Sequence, residues 1–149
     1  MQISREELMD ILPHRAPMRF VDEVVEVEPL RSIVAKLYLD PEWDIFKGHF
    51  PDEPVFPGVL AVEAMAQTVD CMVMTVDKYR ELTPLFAEIQ KARFYKRILP
   101  GQTVYLTAKV VEANEMKDMI VAKARLMLFG ESHEEPQVAA KAIITIAMR

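Results

Sequence analysis

The feature that most constrains the fold of this chain is one long apolar segment set among segments of alternating polarity. Of the 18 residues from 59 to 76, 13 are apolar, and Pro57 suits the first turn of a helix. We therefore predict one long helix over residues 57–78. A helix that is apolar on almost every side has to be covered by other elements. Glu63 and Asp70 within it would be costly in a bilayer, which favours a buried helix over a membrane span.

The rest of the chain has mostly the two-residue period of β-strands. This alternation predicts six strands, over 18–28, 31–40, 86–98, 103–113, 118–130 and 137–148. A short helix is predicted over 4–12, where Ser4 and Glu7 have capping-box spacing. Few helices alternate with strands, which excludes a parallel βαβ repeat. We predict one domain over residues 1–149, of the α+β class, with an antiparallel sheet of about six strands wrapped around the long helix.

Residues 41–58 are predicted to form a long loop, because they contain four of the ten prolines and two of the four glycines. Loops of this length inside small domains often carry function. His49 lies in this loop, where proline-stiffened backbone can hold an imidazole in one pose. Catalytic and structural interpretations of His49 both remain open at this point. His14 is expected at the surface or in a hydrogen bond near a turn, and His133 in a solvated acidic loop.

Three polar side chains form a narrow stripe on the long helix. Glu63, Gln67 and Asp70 fall within roughly 60° of one another at 100° per residue. The stripe is either the exposed face of an amphipathic helix or a carboxyl group directed at an apolar pocket. Desolvation in such a pocket raises the pKa of a carboxyl group and suits it to act as a general acid.

The start of the long helix lacks a capping side chain. Phe56 precedes Pro57, so the first amides, beginning with Gly58, have no local acceptor. Free amides at the positive end of a helix suit a developing oxyanion. With His49 as base and Glu63 as acid, three catalytic elements lie within 15 residues. Together they predict proton abstraction beside a carbonyl, followed by loss of a protonated leaving group.

Three segments resemble a known family in the right order along the chain. They are LPHRAPM at 12–18, GHFPDEPVFPGVLAVEAMAQ at 48–67 and KARFYKRILPG at 91–101. They resemble the 3-hydroxyacyl-[acyl-carrier-protein] dehydratases of the FabZ type. The resemblance implies a hot-dog fold and a hydro-lyase that converts (3R)-hydroxyacyl-[acyl-carrier-protein] to the trans-2-enoyl thioester in fatty-acid or related lipid biosynthesis. It implies no cofactor, because the substrate is carried on the phosphopantetheine arm of acyl carrier protein.

The resemblance also assigns roles by position. It implies that His49 takes the α-proton, that Glu63 protonates the leaving hydroxyl and that the amide of Gly58 polarises the thioester carbonyl. Val55 and Gln67 are expected beside them in the substrate site. In this family the histidine and glutamate of one site come from different subunits, which implies a homodimer. Such dimers also assemble into hexamers, as trimers of dimers.

This chain departs from the family pattern at three positions. Phe56 stands where methionine is commoner, Arg19 interrupts a usually apolar strand start, and Asp70 replaces a residue that is usually small. Glu63 distinguishes the chain from the sibling FabA-like enzymes, which carry aspartate there and also isomerise the product. The departures leave the acyl chain length, the pathway and the role of Asp70 open.

Charge gives expectations about partners and location. The net charge of −5 argues against a general nucleic-acid binder. No basic segment followed by an apolar one opens the chain, so we expect the cytoplasm. Within the predicted strand 86–98, Ala92 and Phe94 are expected to point inward. Four cations are concentrated there, either as a solvated face or as a docking patch for the acidic carrier protein: Lys91, Arg93, Lys96 and Arg97.

Two alternatives to a dehydratase are a hot-dog acyl thioesterase and a non-catalytic subunit that binds acyl carrier protein. The pairing of His49 with Glu63 in the GHFP context argues against the thioesterase. A pure binder would need neither residue, nor Gly58. No metal is predicted, because no two histidines have ligand spacing and the single cysteine, Cys71, lies in an apolar run.

Overall fold

The computed structural model describes residues 1–129 and 135–149, and His133 lies outside them. Within these residues, six antiparallel strands form one sheet in the order β1-β2-β4-β5-β6-β3. The strands are β1 Glu23–Glu28, β2 Ser32–Tyr38, β3 Pro84–Phe94, β4 Thr103–Asn114, β5 Met119–Leu128 and β6 Gln137–Met148. The helices are α1 Arg5–Ile11, α2 Asp44–Gly48 and α3 Gly58–Met74, followed by a 3₁₀ turn at Asp77–Tyr79.

The sheet wraps around α3, as the α+β prediction requires. Of the 17 residues of α3, 13 are buried, and the helix contacts β2, β4, β5 and β6. The sheet supplies the other half of this core with alternating apolar side chains, among them Ile33, Ala35, Leu37, Leu106, Ala124 and Ile144. No described helix has the length and apolar character needed to cross a bilayer. The packing therefore explains why α3 is apolar on nearly every side.

Side-chain hydrogen bonds mark the start of α1 and the end of α3. Ser4 caps α1, and its hydroxyl accepts the amide of Glu7 at 3.2 Å, as the capping-box spacing predicts. The α3 helix is shorter than predicted and ends at Met74, where the hydroxyl of Thr75 donates to the carbonyl of Met72.

Two further boundaries differ from the sequence prediction. The segment 41–58 is not wholly a loop, because α2 lies inside it. Strand β1 begins at Glu23 rather than at residue 18. The backbone just before the strand forms hydrogen bonds with the side chain of Gln67. Gln67 donates to the carbonyl of Met18 at 2.6 Å and accepts the amide of Phe20 at 2.7 Å. Those backbone groups are thus bound by a side chain instead of a neighbouring strand.

Strand β3 lies at an edge of the sheet, paired on one side with β6. Its pairing shifts between Gln90 and Arg93, and Lys91 has a φ of 51°, which together mark a β-bulge. The inward placement of Ala92 and Phe94 assumed that one face of the strand is covered, but residues 85–94 of this edge strand are exposed on both faces. That prediction is wrong, since both side chains are exposed in this chain.

Candidate active site

The loop after α2 fixes His49 in one orientation. The amide of His49 donates to the carbonyl of Ile45, and the amide of Val55 returns to the carbonyl of His49 at 2.9 Å. The ring nitrogen Nδ1 lies 3.0 Å from the carbonyl oxygen of Val55. A carbonyl oxygen only accepts, so Nδ1 carries the hydrogen and Nε2 keeps its lone pair. The ring also stacks on Phe50, with centroids 4.1 Å apart. This is the arrangement of a histidine prepared to act as a base.

A cluster of aromatic rings anchors both ends of the loop to the core. Trp43 stacks on Phe46, and Phe20 packs edge-on against both Trp43 and Phe56, with centroids 5.7–6.0 Å apart in the edge-on pairs. Phe46 and Phe56 are buried on either side of His49 in the sequence. The apolar residues of the loop therefore hold the imidazole in place.

The start of α3 forms one wall of a cavity of about 400 Å³. Pro57 precedes the helix and offers no side-chain cap, so the amide of Gly58 is left without a local acceptor. A side chain at position 58 would lie 3.1–3.3 Å from ring atoms of Phe94, so glycine permits this close approach. Val55 and Gly58, both predicted in the substrate site, line the cavity together with residues 94–98. The structure thus brings a free helix amide and an apolar cavity together.

Glu63 lies farther along α3, with its side chain 20% exposed. Its Oε1 accepts a hydrogen bond from Gln67 Nε2 at 2.9 Å. Gln67 is fully buried and Asp70 is 4% exposed. The interpretation of the polar stripe as an exposed helix face is therefore wrong. The stripe is a row of polar side chains, largely buried, on a helix whose other sides are apolar.

Asp70 is the buried carboxyl group of this row. Its Oδ1 has no hydrogen-bond partner among the described residues. Burial raises the pKa of Asp70 well above its usual value, and the charge of Glu63 raises it further. Asp70 is thus kept protonated more readily than an exposed aspartate. The neighbouring Cys71 is fully buried, and burial also raises the pKa of its thiol.

His14 is a residue of this site that the sequence prediction missed. Its Nε2 lies 3.5 Å from Oε1 of Glu63, and both side chains are about one-fifth exposed. Burial lowers the pKa of His14, and the charge of Glu63 opposes that effect. The motif LPHRAPM marked this segment as part of the family resemblance. The contact of His14 with α3 could not be predicted from it, because that contact depends on the fold.

His49 and Glu63 do not pair within one chain. Among the described residues, the imidazole that lies beside Glu63 is that of His14, and the ring of His49 is bonded to Val55. The structure of a single protomer therefore holds the predicted base and the predicted acid at separate places. The side chain of His49 is held at Nδ1 and that of Glu63 at Oε1. The second ring nitrogen of His49 and the second carboxyl oxygen of Glu63 have no hydrogen-bond partner in the described part of the chain.

The side chains of the four predicted docking cations are all exposed. They lie along the edge strand β3 and in the segment after it that lines the cavity. Arg97 forms an ion pair with Glu53 of the His49 loop. Lys91, Arg93 and Lys96 form no ion pair with any described residue. No group of three or more His, Cys, Asp or Glu side chains that could hold a metal ion occurs over residues 1–129 and 135–149.

Comparison with known proteins gives consistent matches. Residues 12–133 match the FabA-like domain family. The chain is 37% identical over 132 residues to the 3-hydroxyacyl-[acyl-carrier-protein] dehydratase FabZ of Clostridium tetani, covering 82% of this chain and 93% of that protein. It is 34% identical over 148 residues to the enzyme of the same name from Polynucleobacter asymbioticus, covering 99% and 93%.

A solved structure supports the fold independently. The dehydratase heterocomplex ApeI:P from Xenorhabdus doucetiae matches with a TM-score of 0.73 over 95% of this chain and 90% of that one. The sequences are 15% identical, so this likeness concerns the fold alone. It confirms the hot-dog architecture expected from the sequence.

Proposed function

This chain belongs to the FabA-like family, and on that premise we propose that it dehydrates (3R)-hydroxyacyl-[acyl-carrier-protein] in fatty-acid biosynthesis. It is a hydro-lyase, like the FabZ enzymes that it resembles over most of its length. The product is the trans-2-enoyl thioester on the same carrier. One observation carries the assignment to this site: His49 is held through Nδ1 by Val55, a residue that also lines the cavity beside Gly58.

His49 is the base of the reaction. Its Nε2 lone pair takes the proton from the carbon next to the thioester carbonyl. The amide of Gly58 donates to the carbonyl oxygen and stabilises the negative charge that develops there. The position of Gly58 at the cavity wall and its lack of a local acceptor support this role.

Glu63 is the acid. As the α-proton leaves, the electron pair forms the double bond, the C3–O bond breaks and Glu63 gives its proton to the departing hydroxyl. Water is released, His49 is left protonated and Glu63 is left as a carboxylate. Return of that proton from His49 to Glu63 restores the enzyme. The reaction moves only protons and water, so we propose that it needs no cofactor.

A second copy of the chain completes the site. Strand β3 offers an unpaired edge whose large apolar side chains are 42–54% exposed, namely Leu85, Phe86, Ile89 and Phe94. Open edges of this kind pair readily with another strand. Phe94 also lines the cavity, so a partner at this edge would close it. We therefore propose a homodimer in which His49 of one subunit serves Glu63 of the other. Assembly into hexamers rests on the family resemblance and is tested by the mass in solution.

Acyl carrier protein is the partner that presents the substrate. Lys96 lines the cavity, and Lys91 and Arg93 precede it on the exposed edge strand β3, so an acidic carrier bound there would bring its phosphopantetheine arm to the cavity. The cytoplasm is the proposed location, with no nucleic acid or membrane as partner.

The test is interconversion of 3-hydroxyacyl- and enoyl-[acyl-carrier-protein] by the wild type, His49→Ala and Glu63→Gln. We expect conversion by the wild type and losses of more than about 100-fold in both variants, with their oligomeric state unchanged. Thioester cleavage without interconversion would instead identify a thioesterase. Binding of the carrier with neither reaction would identify a non-catalytic subunit.

A further inference from the structure

Glu63 is held at one of its two carboxyl oxygens. Gln67 donates to Oε1 at 2.9 Å, and Nε2 of His14 lies 3.5 Å from the same atom. Within the described residues, Oε2 has no hydrogen-bond partner. A carboxyl group with one anchored oxygen and one free oxygen can carry its proton at the free one. Gln67 belongs to the predicted site, whereas nothing in the proposed mechanism uses His14.

The turn that carries His14 is fixed from both sides. The guanidinium of Arg15 donates to the carbonyls of Met9, Leu12 and His14 at 2.6–2.8 Å. Downstream, Gln67 binds the backbone of Met18 and Phe20. The segment that carries the imidazole is therefore hydrogen-bonded both to α1 and to α3. These bonds fix the position from which the ring contacts Glu63.

The surroundings of the ring decide which nitrogen carries the hydrogen. Burial lowers the pKa of His14, so the ring is neutral near pH 7. Its Nδ1 is buried without a partner among the described residues, while Nε2 lies 3.5 Å from Oε1 of Glu63. A neutral ring beside an acceptor places its single N–H toward that acceptor. The hydrogen thus lies on Nε2, directed at Glu63.

We propose that His14 is a positioning residue for Glu63, whose Nε2–H holds Oε1 so that Oε2 carries the proton for the leaving hydroxyl. This inference rests on the role of Glu63 proposed above. In the dehydration step the proton passes from Oε2 to the hydroxyl oxygen, and the C3–O bond breaks. The N–H of His14 stabilises the carboxylate that remains, and His14 itself neither gains nor loses a proton.

Two substitutions separate the proposed role of the N–H group from that of the shape of the side chain. His14→Leu fills the space without a donor, and His14→Gln keeps an N–H donor at a similar reach. We expect His14→Leu to lower kcat about 10- to 100-fold with KM for acyl carrier protein substrate nearly unchanged, because a mispositioned acid affects the chemical step. His14→Gln should recover most of that loss. Met18→Ala, an exposed side chain of the same segment, serves as the matched control and should leave kcat unchanged.

Combination with Glu63→Gln tests whether His14 acts through Glu63. In that background His14→Leu should cause no further loss of residual activity, since no proton remains to be positioned. A wild-type kcat in His14→Leu, a change in KM alone, or a further loss in the Glu63→Gln background would each overturn the proposal. If His14→Leu does not form the native dimer, His14→Phe takes its place with the same expectations.

Nitrogen chemical shifts of the imidazole give a readout that does not depend on turnover. The wild-type enzyme should show the Nε2–H tautomer of His14, and its signal should move in Glu63→Gln but not in His49→Ala. An Nδ1–H tautomer in the wild type would overturn the proposal. A wild type that fails to dehydrate any substrate but shows the expected tautomer would refute the proposed function while retaining the contact.

Discussion

At the scale of single residues, Asp70 is an unusual group to find in a helix packed inside an apolar core. It is a buried carboxyl on the same helix face as Glu63, and its Oδ1 has no partner among the described residues. An aspartate in an unfolded chain titrates near pH 3.9. Because burial raises the pKa of Asp70 in the folded state, folding favours its protonated form.

The stability of the protein should therefore depend on pH through Asp70. The contribution of protonated Asp70 to the free energy of unfolding is fully present below about pH 4. It is lost as the pH rises toward and through the pKa that Asp70 has in the folded protein. Asp70→Asn cannot ionise, so this variant should gain stability relative to the wild type with rising pH, by up to about 1.4 kcal/mol per pH unit. Urea unfolding of both proteins at equal concentration between about pH 5 and pH 8 measures the difference. Parallel stability curves would show that Asp70 does not titrate between the two states.

At the scale of elements, the side chain of Gln67 joins the segment before β1 to α3. It satisfies the amide of Phe20 and the carbonyl of Met18, and it also donates to Glu63. Removing it leaves backbone groups unpaired at a largely buried contact. The sheet itself does not provide substitutes for these bonds, because β1 starts only at Glu23.

Gln67→Leu should therefore lower the free energy of unfolding by about 2–4 kcal/mol, since each unsatisfied buried group costs about 1–3 kcal/mol. Thr68→Val is the matched control. It removes a buried hydroxyl whose one hydrogen bond among the described residues is to the carbonyl of Ala64 within the same helix, and we expect a smaller loss. Equal losses in the two variants by urea unfolding would mean that Gln67 does not tie the segment to α3.

Strand β3 and the turn after it carry the proposed docking cations. Lys91→Glu combined with Lys96→Glu should raise KM for acyl carrier protein substrates about 10-fold at low salt, and the effect should shrink as salt is added. Turnover of a short acyl-pantetheine, which lacks the protein, should change little. Lys109→Glu, on the exposed side of β4, is the control for local charge. A similar rise in KM in that variant would refute a localised docking patch.

The elements differ in how well they could be predicted from sequence. The central helix, the six strands and the alternating burial of β2 and β5 follow from local periodicity, which records burial directly. The start of β1 could not be predicted, because the side chain that binds Phe20 is 47 residues away. The exposure of both faces of β3 also has no local signal, because it depends on which parts of the sheet the other elements cover, and so the inward placement of Phe94 was wrong.

In the candidate site, too, features that depend on local sequence could be predicted, and features that depend on distant residues could not. His49, Gly58 and Glu63 stand out because their chemistry conflicts with their apolar surroundings, and this is visible within one segment. The contact between His14 and Glu63 arises only where a turn meets α3, 49 residues farther along the chain. A residue of common type near a turn gives no sign of such a contact.

At the scale of the whole molecule, the proposed site belongs to two subunits. Each chain orients its own His49 and its own Glu63, but the two do not pair within the described part of one chain. The open edge of β3 lies beside the cavity that a partner would close. In a symmetric dimer, each chain would then contribute a base to one site and an acid to the other.

Mixing two inactive variants tests this account most directly. His49→Ala and Glu63→Gln dimers are assayed alone for hydration of enoyl-[acyl-carrier-protein], then unfolded, mixed equally and refolded together. Half of the resulting dimers pair one variant with the other, and each of these contains one intact site and one doubly altered site. The account predicts recovery of about a quarter of the wild-type activity refolded in the same way. Absence of recovery, with mixed dimers shown to be present, would contradict a site built from His49 of one subunit and Glu63 of its partner.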